Sequence, residues 1–406
     1  MSDDPFLFRG GRAVSWAGLL EQIEEEFNAE TIDRPDLIPD EASRRTLISD
    51  IANYIMTTSG IKLSKEDRLA VLEQAYRDLF GFAPLDGLVN DWGITEILIQ
   101  GYDRLSVRTG MGDMKPMPTL FQDASQVERF TDRLLALAGT SLKLALPFVE
   151  VGVRLADRPA RLTVTGAPIS PILTVNIRLH PLIPHGLTDL ERSGVITHEA
   201  VGVLQALLAQ RRGLMIAGDA ASGKTTLLQA LLPLIADSTG MVCVERAAEL
   251  RLSDGVRRLT AIPPGRETPG RDFPEVLSAS LGEANLKRLI LDEVRFDESA
   301  ALWAALSDPQ QPHLIACFQG ATDPLRLRTA FNMAIRRSQQ GIEQALLNDA
   351  LHSRLPCVAL MGRLGGSPSD NNPFSTKGMG VVLIGEWVVD GDSLRLQTLW
   401  KRGDPH

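Results

Sequence analysis

The sequence has little of what disulfide-rich, zinc-binding or membrane-spanning proteins need. Its 406 residues include three cysteines, Cys243, Cys317 and Cys357, which lie far apart and form no C-x-x-C pair. This spacing argues against a disulfide framework or a zinc site and predicts three small core residues in a reduced compartment. Apolar runs are interrupted by Arg, Asp or Pro and stay short of the roughly 18 residues of a membrane span. We therefore expect no transmembrane segment.

Positive charge and aromatic side chains are also scarce. The net charge is −9 and aromatic residues make up 5% of the chain, whereas nucleic-acid-binding surfaces are usually basic and offer rings on which bases stack. We expect no direct nucleic-acid partner, although a local basic face stays possible. The first five residues are acidic where a secretory signal is basic. The expectation is a cytoplasmic protein that is peripheral to the inner membrane only through its partners.

The residue patterns predict three regions. Residues 1–42 form an acidic leader and linker. Residues 43–180 have helical periodicity, with Leu69, Leu72 and Tyr76 on one predicted face, and then short strands, which indicates a small α+β domain. Residues 181–406 alternate strands with helices, which is typical of α/β proteins with a parallel, RecA-like sheet. A Gly/Ser-rich insertion at 365–380 predicts a mobile surface loop between two strands of a terminal hairpin.

A phosphate-binding loop organises the last region. The segment from Gly218 to Thr225 fits the pattern G-x-x-x-x-G-K-[ST], between an apolar run that predicts a buried strand and a helical stretch. Glycines let backbone N–H groups surround an anion, and the helix N-terminus adds a positive dipole end. Lys224 is expected to reach the β- and γ-phosphates of ATP, and the Thr225 hydroxyl to ligate Mg²⁺. The expected phosphate-binding residues are Gly218, Ala221, Ser222, Gly223, Lys224, Thr225 and Thr226. The alternative is a glycine-rich turn without a ligand.

Acidic residues follow two other predicted strands. The apolar run from Leu289 ends in Asp292 and Glu293, of which one can hold Mg²⁺ through water and the other can polarise the attacking water. The alternative is a solvated strand end. Glu245 and Glu249 follow the strand after the P-loop helix, and Glu245 is either a general base or a surface carboxylate.

Arginines recur on the strands predicted before residue 180. Arg154, Arg161 and Arg178 belong either to a solvated face or to a set of cations that contact phosphates across a domain interface.

Together, three segments resemble the secretion and pilus assembly ATPases of the type II/type IV superfamily, with the Tad/CpaF-type branch the most similar. They are the P-loop, Val244–Leu250 and Ile290–Arg295. The similarity extends over about residues 45–400. It also includes residues 82–88, 94–99, 161–163 and 176–178.

The resemblance implies a RecA-like ATPase domain preceded by a smaller domain, in a homo-hexameric ring. ATP hydrolysis would drive a pilus or secretion machine through a polytopic inner-membrane platform protein. In this pattern Lys224 and Thr225 match the phosphate and Mg²⁺ residues, with Asp292 holding Mg²⁺ through water. Glu245 and Glu293 match the catalytic glutamates. Arg161 and Arg178 match inter-domain phosphate contacts.

Departures from that pattern leave alternatives open. Arg246 replaces a second acid, and residues 281–286 lack two arginines. An ungapped register places Gln310 and Phe318 at two expected histidine positions, which His313 or Gln319 would fill only if the strand shifted. One alternative is a hydrolysis-impaired, nucleotide-binding paralogue that serves as scaffold or regulator in the same machine. Another is a RecA-like nucleic-acid motor.

Overall fold

The chain divides into two compact units between Asp91 and Trp92. The structure is a computed structural model, and it describes most of both units. The described residues are 15–31, 34, 37, 40–110, 112–144, 146–181, 183–235, 239–264, 269–283, 285–295, 298–320, 323–364, 378–391 and 393–403.

The first unit is helical. Its helices are α1 (Trp16–Thr31), α2 (Glu41–Thr58), α3 (Lys65–Phe80) and the short α4 (Asp86–Val89). The first three pack around a shared apolar core, in which the rings of Phe27 and Phe80 meet edge to face with centroids 5.4 Å apart. Ser64 caps α3 by accepting the N–H of Asp67 at 3.0 Å.

One detail of this unit differs from expectation. Helix α3 buries Val71 and Ala75, whereas Leu69 is 55% exposed, so its predicted place on the buried face is wrong. The reason is that Leu69 lies two residues before Val71, which puts it on the opposite side of a helix. Helix α1 lies within the acidic leader at residues 1–42, and it buries Leu19 and Ile23 in the same core as α2.

The second unit begins with an antiparallel sheet. Its elements are β1 (Ile94–Gln100), β2 (Arg104–Thr109), β3 (Lys115–Met117), α5 (Ala124–Leu137), β4 (Phe148–Leu155), β5 (Arg158–Thr165) and β6 (Thr174–Leu179). The six strands are ordered β3-β2-β1-β6-β5-β4. This sheet and the P-loop sheet below belong to one compact unit, so the expected domain boundary near residue 180 falls inside it.

The remaining elements build the P-loop sheet and its flanking helices. They are α6 (Leu187–Arg192), α7 (His198–Ala209), β7 (Leu214–Gly218), α8 (Lys224–Leu231), β8 (Met241–Glu245), β9 (Arg257–Thr260), α9 (Phe273–Leu281), β10 (Arg288–Val294), α10 (Ser299–Leu306), β11 (His313–Gln319), α11 (Pro324–Arg336), α12 (Gln344–Arg354), β12 (Cys357–Arg363), β13 (Met379–Asp390) and β14 (Ser393–Lys401).

The eight strands are ordered β14-β13-β12-β7-β11-β10-β8-β9. Strands β12 to β9 of this order run parallel, and β13 and β14 are added antiparallel. Separate hydrophobic cores lie on its two faces, one with α9 to α12 and the other with α6 to α8. This mixed α/β architecture confirms the predicted RecA-like sheet, and the P-loop strand β7 lies near its centre. All three cysteines are buried and unpaired in these cores.

The predicted loop at 365–380 ends before residue 379, earlier than expected, because β13 begins there. Met379 and Gly380 belong to β13, and Gly380 lies so close to Val195 that an added Cβ would come within 2.4 Å of the Val195 carbonyl oxygen. A glycine therefore lets the strand begin earlier than its polar surroundings suggest. Residues 365–377 lie outside the described residues. Within the described parts of the chain, no helix has both the length and the apolar character needed to cross a membrane.

Candidate nucleotide-binding site

The P-loop joins β7 to α8 at the carboxyl edge of the sheet. Its turn needs left-handed backbone, with φ of +58° at Ala221 and +92° at Gly223. Gly218 has no room for a side chain, because an added Cβ would lie 2.6 Å from the carbonyl oxygen of Met361 on β12. Helix α8 then begins at Lys224, so its first N–H groups face the loop, the arrangement that binds phosphate in other proteins.

Two buried side chains of the loop suit an anionic ligand. Lys224 is 7% exposed and its Nζ donates to the carbonyl oxygens of Gly218 and Asp219 at 3.1 and 2.8 Å. Burial lowers the pKa of Lys224, so its ammonium group gains by exchanging carbonyl dipoles for a full negative charge. The Ser222 hydroxyl is buried and has no hydrogen-bond partner among the described residues. These donors fit the phosphates of a nucleotide.

Asp292 and Thr225 meet beneath the loop. The Thr225 hydroxyl donates to Oδ1 of Asp292 at 3.0 Å, and Asp292 is 1% exposed. Burial, and next the charge of Glu249, raise the pKa of Asp292. Its Oδ2 atom is buried without a hydrogen-bond partner in the described chain. A hydroxyl beside a carboxylate with an unused oxygen is a donor set that Mg²⁺ accepts, directly or through water.

Mg²⁺ usually keeps several waters and takes few protein ligands. Accordingly, the described residues contain no group of three or more His, Cys, Asp or Glu side chains that could enclose a metal. Thr225 and Asp292 are thus the residues that fit a magnesium ion here.

Glu293 is held by two arginines. Its carboxylate pairs with Arg161 of β5 through one oxygen, and with Arg295 at 2.9 Å through the other. Burial alone would raise the pKa of Glu293, but these two cations outweigh burial and lower it. Its backbone is left-handed, with φ of +66°, at a register shift between β10 and β11. Glu293 is therefore an ionised side chain at a tightly held irregularity near the end of β10.

Arg161 ties the two sheets of the second unit together. It is 7% exposed and also pairs with Glu150 at 3.0 Å and with Glu249, which follows β8. Glu150 continues the network with two contacts to Arg295, both at 2.8 Å. In this conformation the guanidinium of Arg161 binds glutamates of both sheets, whereas its expected partner is a phosphate.

Glu245 is fully buried at the end of β8. Its Oε1 accepts the N–H groups of Glu249 and Leu250 at 3.0 and 2.8 Å, and its Oε2 lies 2.8 Å from Nε of Arg258. Burial raises the pKa of Glu245 to about 7, although these partners oppose the shift. The carboxyl group thus shapes the loop after β8 and also titrates near neutral pH.

Arg178 and Arg154 have different surroundings. Arg178 on β6 faces Arg161 across the β5–β6 register and makes no hydrogen bond or ion pair with the described residues. Its charge adds to the burial that lowers the pKa of Lys224, which brings it within electrostatic reach of the P-loop. Arg154 is exposed and donates to the carbonyl of Asp157 at 2.7 Å, so it belongs to a local turn.

Neither expected histidine position carries an ionisable side chain. Gln310 is exposed in the loop before β11, whereas Phe318 lies opposite Ala217 on β7, is 2% exposed and packs on Phe331. His313 begins β11 and contacts Arg212 and Arg288 at the amino edge. Gln319, in contrast, ends β11 directly opposite Gly218.

Four participants were not singled out as site residues from the sequence. They are Glu150, His180, Arg258 and Arg295. A signal existed for Glu150, because it is an acid among alternating valines on β4 and lies diagonally opposite Arg161. The contact between His180 and Glu249, at 3.3 Å, depends on chain folding and has no local pattern.

Known proteins resemble this chain in sequence and fold. Residues 138–310 match the family model described as Type II/IV secretion system protein. A putative conjugal transfer protein of Mycobacterium tuberculosis is 27% identical over 298 residues, which cover 72% of this chain and 82% of that protein. The probable conjugal transfer protein TrbB of Sinorhizobium fredii is 27% identical over 179 residues, which cover 43% of this chain and 52% of that protein.

A solved structure of the pilus retraction motor PilT with bound ADP shares the fold. It has a TM-score of 0.51 and 14% identity, over 77% of this chain and 81% of its own. The Tad/CpaF branch stays a prediction. The family match spans β4 to the loop after α10, including the P-loop, Glu245 and Asp292. Residues 138–310, which include these site residues, are thus similar to the Type II/IV secretion system protein family.

Proposed function

We propose that this chain hydrolyses ATP as a subunit of a ring motor that powers a Tad-like pilus or a related secretion machine. The observation that carries the proposal is the meeting of Lys224, Thr225, Asp292 and Glu293 at one edge of the sheet. The names of the two curated relatives, both given as conjugal transfer proteins, support a role in moving macromolecules.

The phosphates of ATP bind to the backbone from Gly218 to Gly223, and Lys224 neutralises their charge. Residues Ser222, Thr225 and Thr226 add hydroxyl donors at the start of α8. Thr225 and, through water, Asp292 would hold Mg²⁺, which would supply positive charge against the β- and γ-phosphates. Arg178, which has no ion-pair partner in the described chain, is positioned to contact a phosphate oxygen.

The two glutamates take different parts. Glu245 has a pKa of about 7 and can accept a proton from the attacking water near neutral pH, once Arg258 releases its Oε2 atom. Glu293 stays ionised because Arg161 and Arg295 lower its pKa, so it orients the water and does not take its proton. Arg161 reaches the nucleotide by exchanging one of its glutamates for a phosphate oxygen.

A motor of this kind acts in an assembly. We propose a cytoplasmic homo-hexamer that docks on a polytopic inner-membrane platform protein. The motor then acts on a pilin or a transported substrate through this platform protein. A pilin gene and a polytopic membrane protein gene beside this one would support the Tad-like version of the proposal.

The test is ATP turnover by the purified chain against Lys224→Ala. We expect turnover that depends on Mg²⁺ in the wild type and none in the variant, with or without the platform protein. Equal release of phosphate by both proteins would overturn hydrolysis. Sedimentation with and without ATP measures the ring, and a protein that stays monomeric under both conditions would overturn the hexamer.

The second candidate is a hydrolysis-impaired paralogue that binds nucleotide as a scaffold or regulator. The favouring observation is that Gln310 is exposed and Phe318 is an apolar ring packed on Phe331, so neither replaces the expected histidine, while Glu293 is fixed by two arginines. It predicts tight ATP binding, negligible turnover and mixed rings with an active ATPase subunit. Robust turnover by this chain alone would exclude it.

A further inference from the structure

Arg246, the residue after β8, contacts three groups at once. Its Nε donates to the backbone carbonyl oxygen of Glu293 at 3.3 Å, and its guanidinium forms an ion pair with Glu298. Cζ of the same guanidinium lies over the ring of Phe273, 4.9 Å from the centroid. The arginine therefore uses its N–H donors and its cation–π contact together.

Glu298 extends this contact to the next part of the chain. It is fully buried and immediately precedes α10. Its Oε2 accepts the backbone N–H of Arg295 at 2.8 Å. The pair Arg246–Glu298 thus holds the carbonyl of Glu293 on one side and the N–H of Arg295 on the other, with only Val294 between them.

The segment held in this way has an unfavourable backbone conformation. Glu293 has φ of +66°, a region that a side chain with a Cβ rarely occupies, and it lies where β10 loses register with β11. Such conformations persist when the surrounding structure over-determines them. The contacts from Arg246 and Glu298 provide that restraint from outside the P-loop and from outside the Arg161 network.

We infer that Arg246 and Glu298 are positioning residues, which fix the irregular end of β10 at Glu293 and thereby aim its carboxylate at the nucleotide. This inference rests on the proposed role of Glu293 in ATP hydrolysis. The two side chains touch the backbone flanking Val294 and leave the P-loop contacts alone. Their loss should therefore affect the chemical step more than ATP binding.

A buried ion pair that only neutralises Glu298 would behave differently. A lysine at 246 also brings a positive charge to Glu298, and the fold would keep its charge balance. A lysine lacks the planar fork that reaches the Glu293 carbonyl and the Glu298 carboxylate together, and it stacks less well on Phe273. Arg246→Lys consequently separates positioning from simple neutralisation.

The experiment compares Arg246→Lys with the wild type in steady-state ATP hydrolysis. We expect kcat to fall by about 100-fold, the size of effect that a misplacement of about 1 Å has on catalysis, while the KM for ATP changes by less than about twofold because Lys224 and Thr225 keep their places. The matched control is Arg354→Lys. Arg354 also donates to two backbone carbonyls, of Leu306 and Pro312 at 3.1 and 2.9 Å, next to the amino edge of β11, and its variant should keep both constants.

The inference is overturned if Arg246→Lys retains wild-type kcat, or if Arg354→Lys loses as much. A second readout does not depend on turnover. Hydrogen exchange of the Arg295 amide should speed up in Arg246→Lys and stay slow in Arg354→Lys, because only the former loosens its bond to Glu298. If the wild type does not exceed Lys224→Ala in turnover, the proposed function fails, and the exchange rate alone then decides on the positioning role.

Discussion

The hydroxyl of Thr225 lies 3.0 Å from Oδ1 of Asp292, although 67 residues separate them in sequence. One belongs to the first turn of α8 and the other to the last part of β10. The parallel strands β7 and β10, with β11 between them, end at the same edge of the sheet and bring these positions together. The contact joins the residue that should ligate Mg²⁺ to the residue that should hold its water.

Removal of the Thr225 hydroxyl should weaken magnesium binding. In Thr225→Ala, the Mg²⁺ concentration for half-maximal turnover is expected to rise about 10- to 100-fold, the range seen when groups around a metal are removed. Titration of Mg²⁺ at a fixed ATP concentration measures this half-maximal concentration. Thr225→Ser keeps the hydroxyl and should behave as the wild type. An unchanged titration for the alanine variant would exclude Thr225 from the magnesium site.

Turnover should depend on the protonation of Glu245. Its pKa is raised to about 7 by burial, and its ionised form is the one that accepts a proton. We therefore expect kcat to rise with pH up to about 7 and then level off. In Glu245→Gln the rate should drop by at least about 100-fold and lose this rise. A pH profile that is the same in both proteins would show that Glu245 is structural.

The same shift predicts how pH affects stability. A carboxyl group whose pKa rises from 4.5 to about 7 on folding keeps a proton that the unfolded chain has released in this interval. Its contribution to the free energy of unfolding must then decrease as pH rises from 4.5 to 7. Urea unfolding of the wild type and Glu245→Gln across this interval should give a difference that changes with pH, and a constant difference would contradict the shift.

Loss of Arg161 should destabilise the second unit. Arg161→Gln leaves Glu150, Glu249 and Glu293 without their shared cation, and breaking a buried ion pair costs about 3 to 5 kcal/mol. Urea unfolding measures the free energy. Arg154→Gln, on the exposed part of the neighbouring strand, should change it by less than about 0.5 kcal/mol. Equal effects of the two variants would mean that the network contributes nothing.

A methyl group at position 152 should push the two sheets of the second unit apart. The added Cβ of Gly152→Ala would lie 2.8 Å from the backbone nitrogen of Ala248 and 3.2 Å from the Cα of Ala247. We expect a loss of about 1 to 3 kcal/mol in unfolding free energy and weaker ATP binding. Gly202→Ala on α7 has open space around it and should be neutral or stabilising by about 0.5 to 1 kcal/mol. A stable Gly152→Ala protein would refute the close approach.

Gln319 and His313 should differ in their effect on turnover. Gln319 ends β11 opposite Gly218, whereas His313 begins the same strand at the other edge. If Gln319 contacts the reacting phosphate, Gln319→Ala should lower kcat about 100-fold, as the loss of one polar contact to developing charge does. His313→Ala should leave kcat unchanged. If phosphate-release assays show a lower kcat for His313→Ala and an unchanged kcat for Gln319→Ala, the residue that contacts the reacting phosphate lies at the amino edge instead.

Much of this fold could be predicted from the sequence because the signals are local. Apolar strands followed by acids, the glycines of the P-loop and the helix cap at Ser64 depend on neighbours within a few residues. The site around Thr225 and Asp292 followed from the same logic, since the predicted sheet is parallel and its strands end at one edge.

What the sequence did not indicate depends on contacts between distant segments. The contact of Arg161 with Glu249 spans 88 residues and that with Glu293 spans 132. The exposure of Leu69 was missed because two apolar faces of α3 compete, and only the packing of α1 and α2 selects Val71. In the sequence, Arg246 is notable only because it replaces an acid of the family pattern. Its contact with the Glu293 carbonyl depends on the folded structure.

The place of β12 beside β7 has a consequence for how this protein is made. The strand that carries the P-loop is flanked on one side by β12, which is synthesised roughly 140 residues later, and Gly218 rests against Met361 of that strand. A ribosome-bound chain that ends before β12 therefore lacks one wall of the loop. The ability to bind nucleotide should therefore arise only after β12 has left the ribosome.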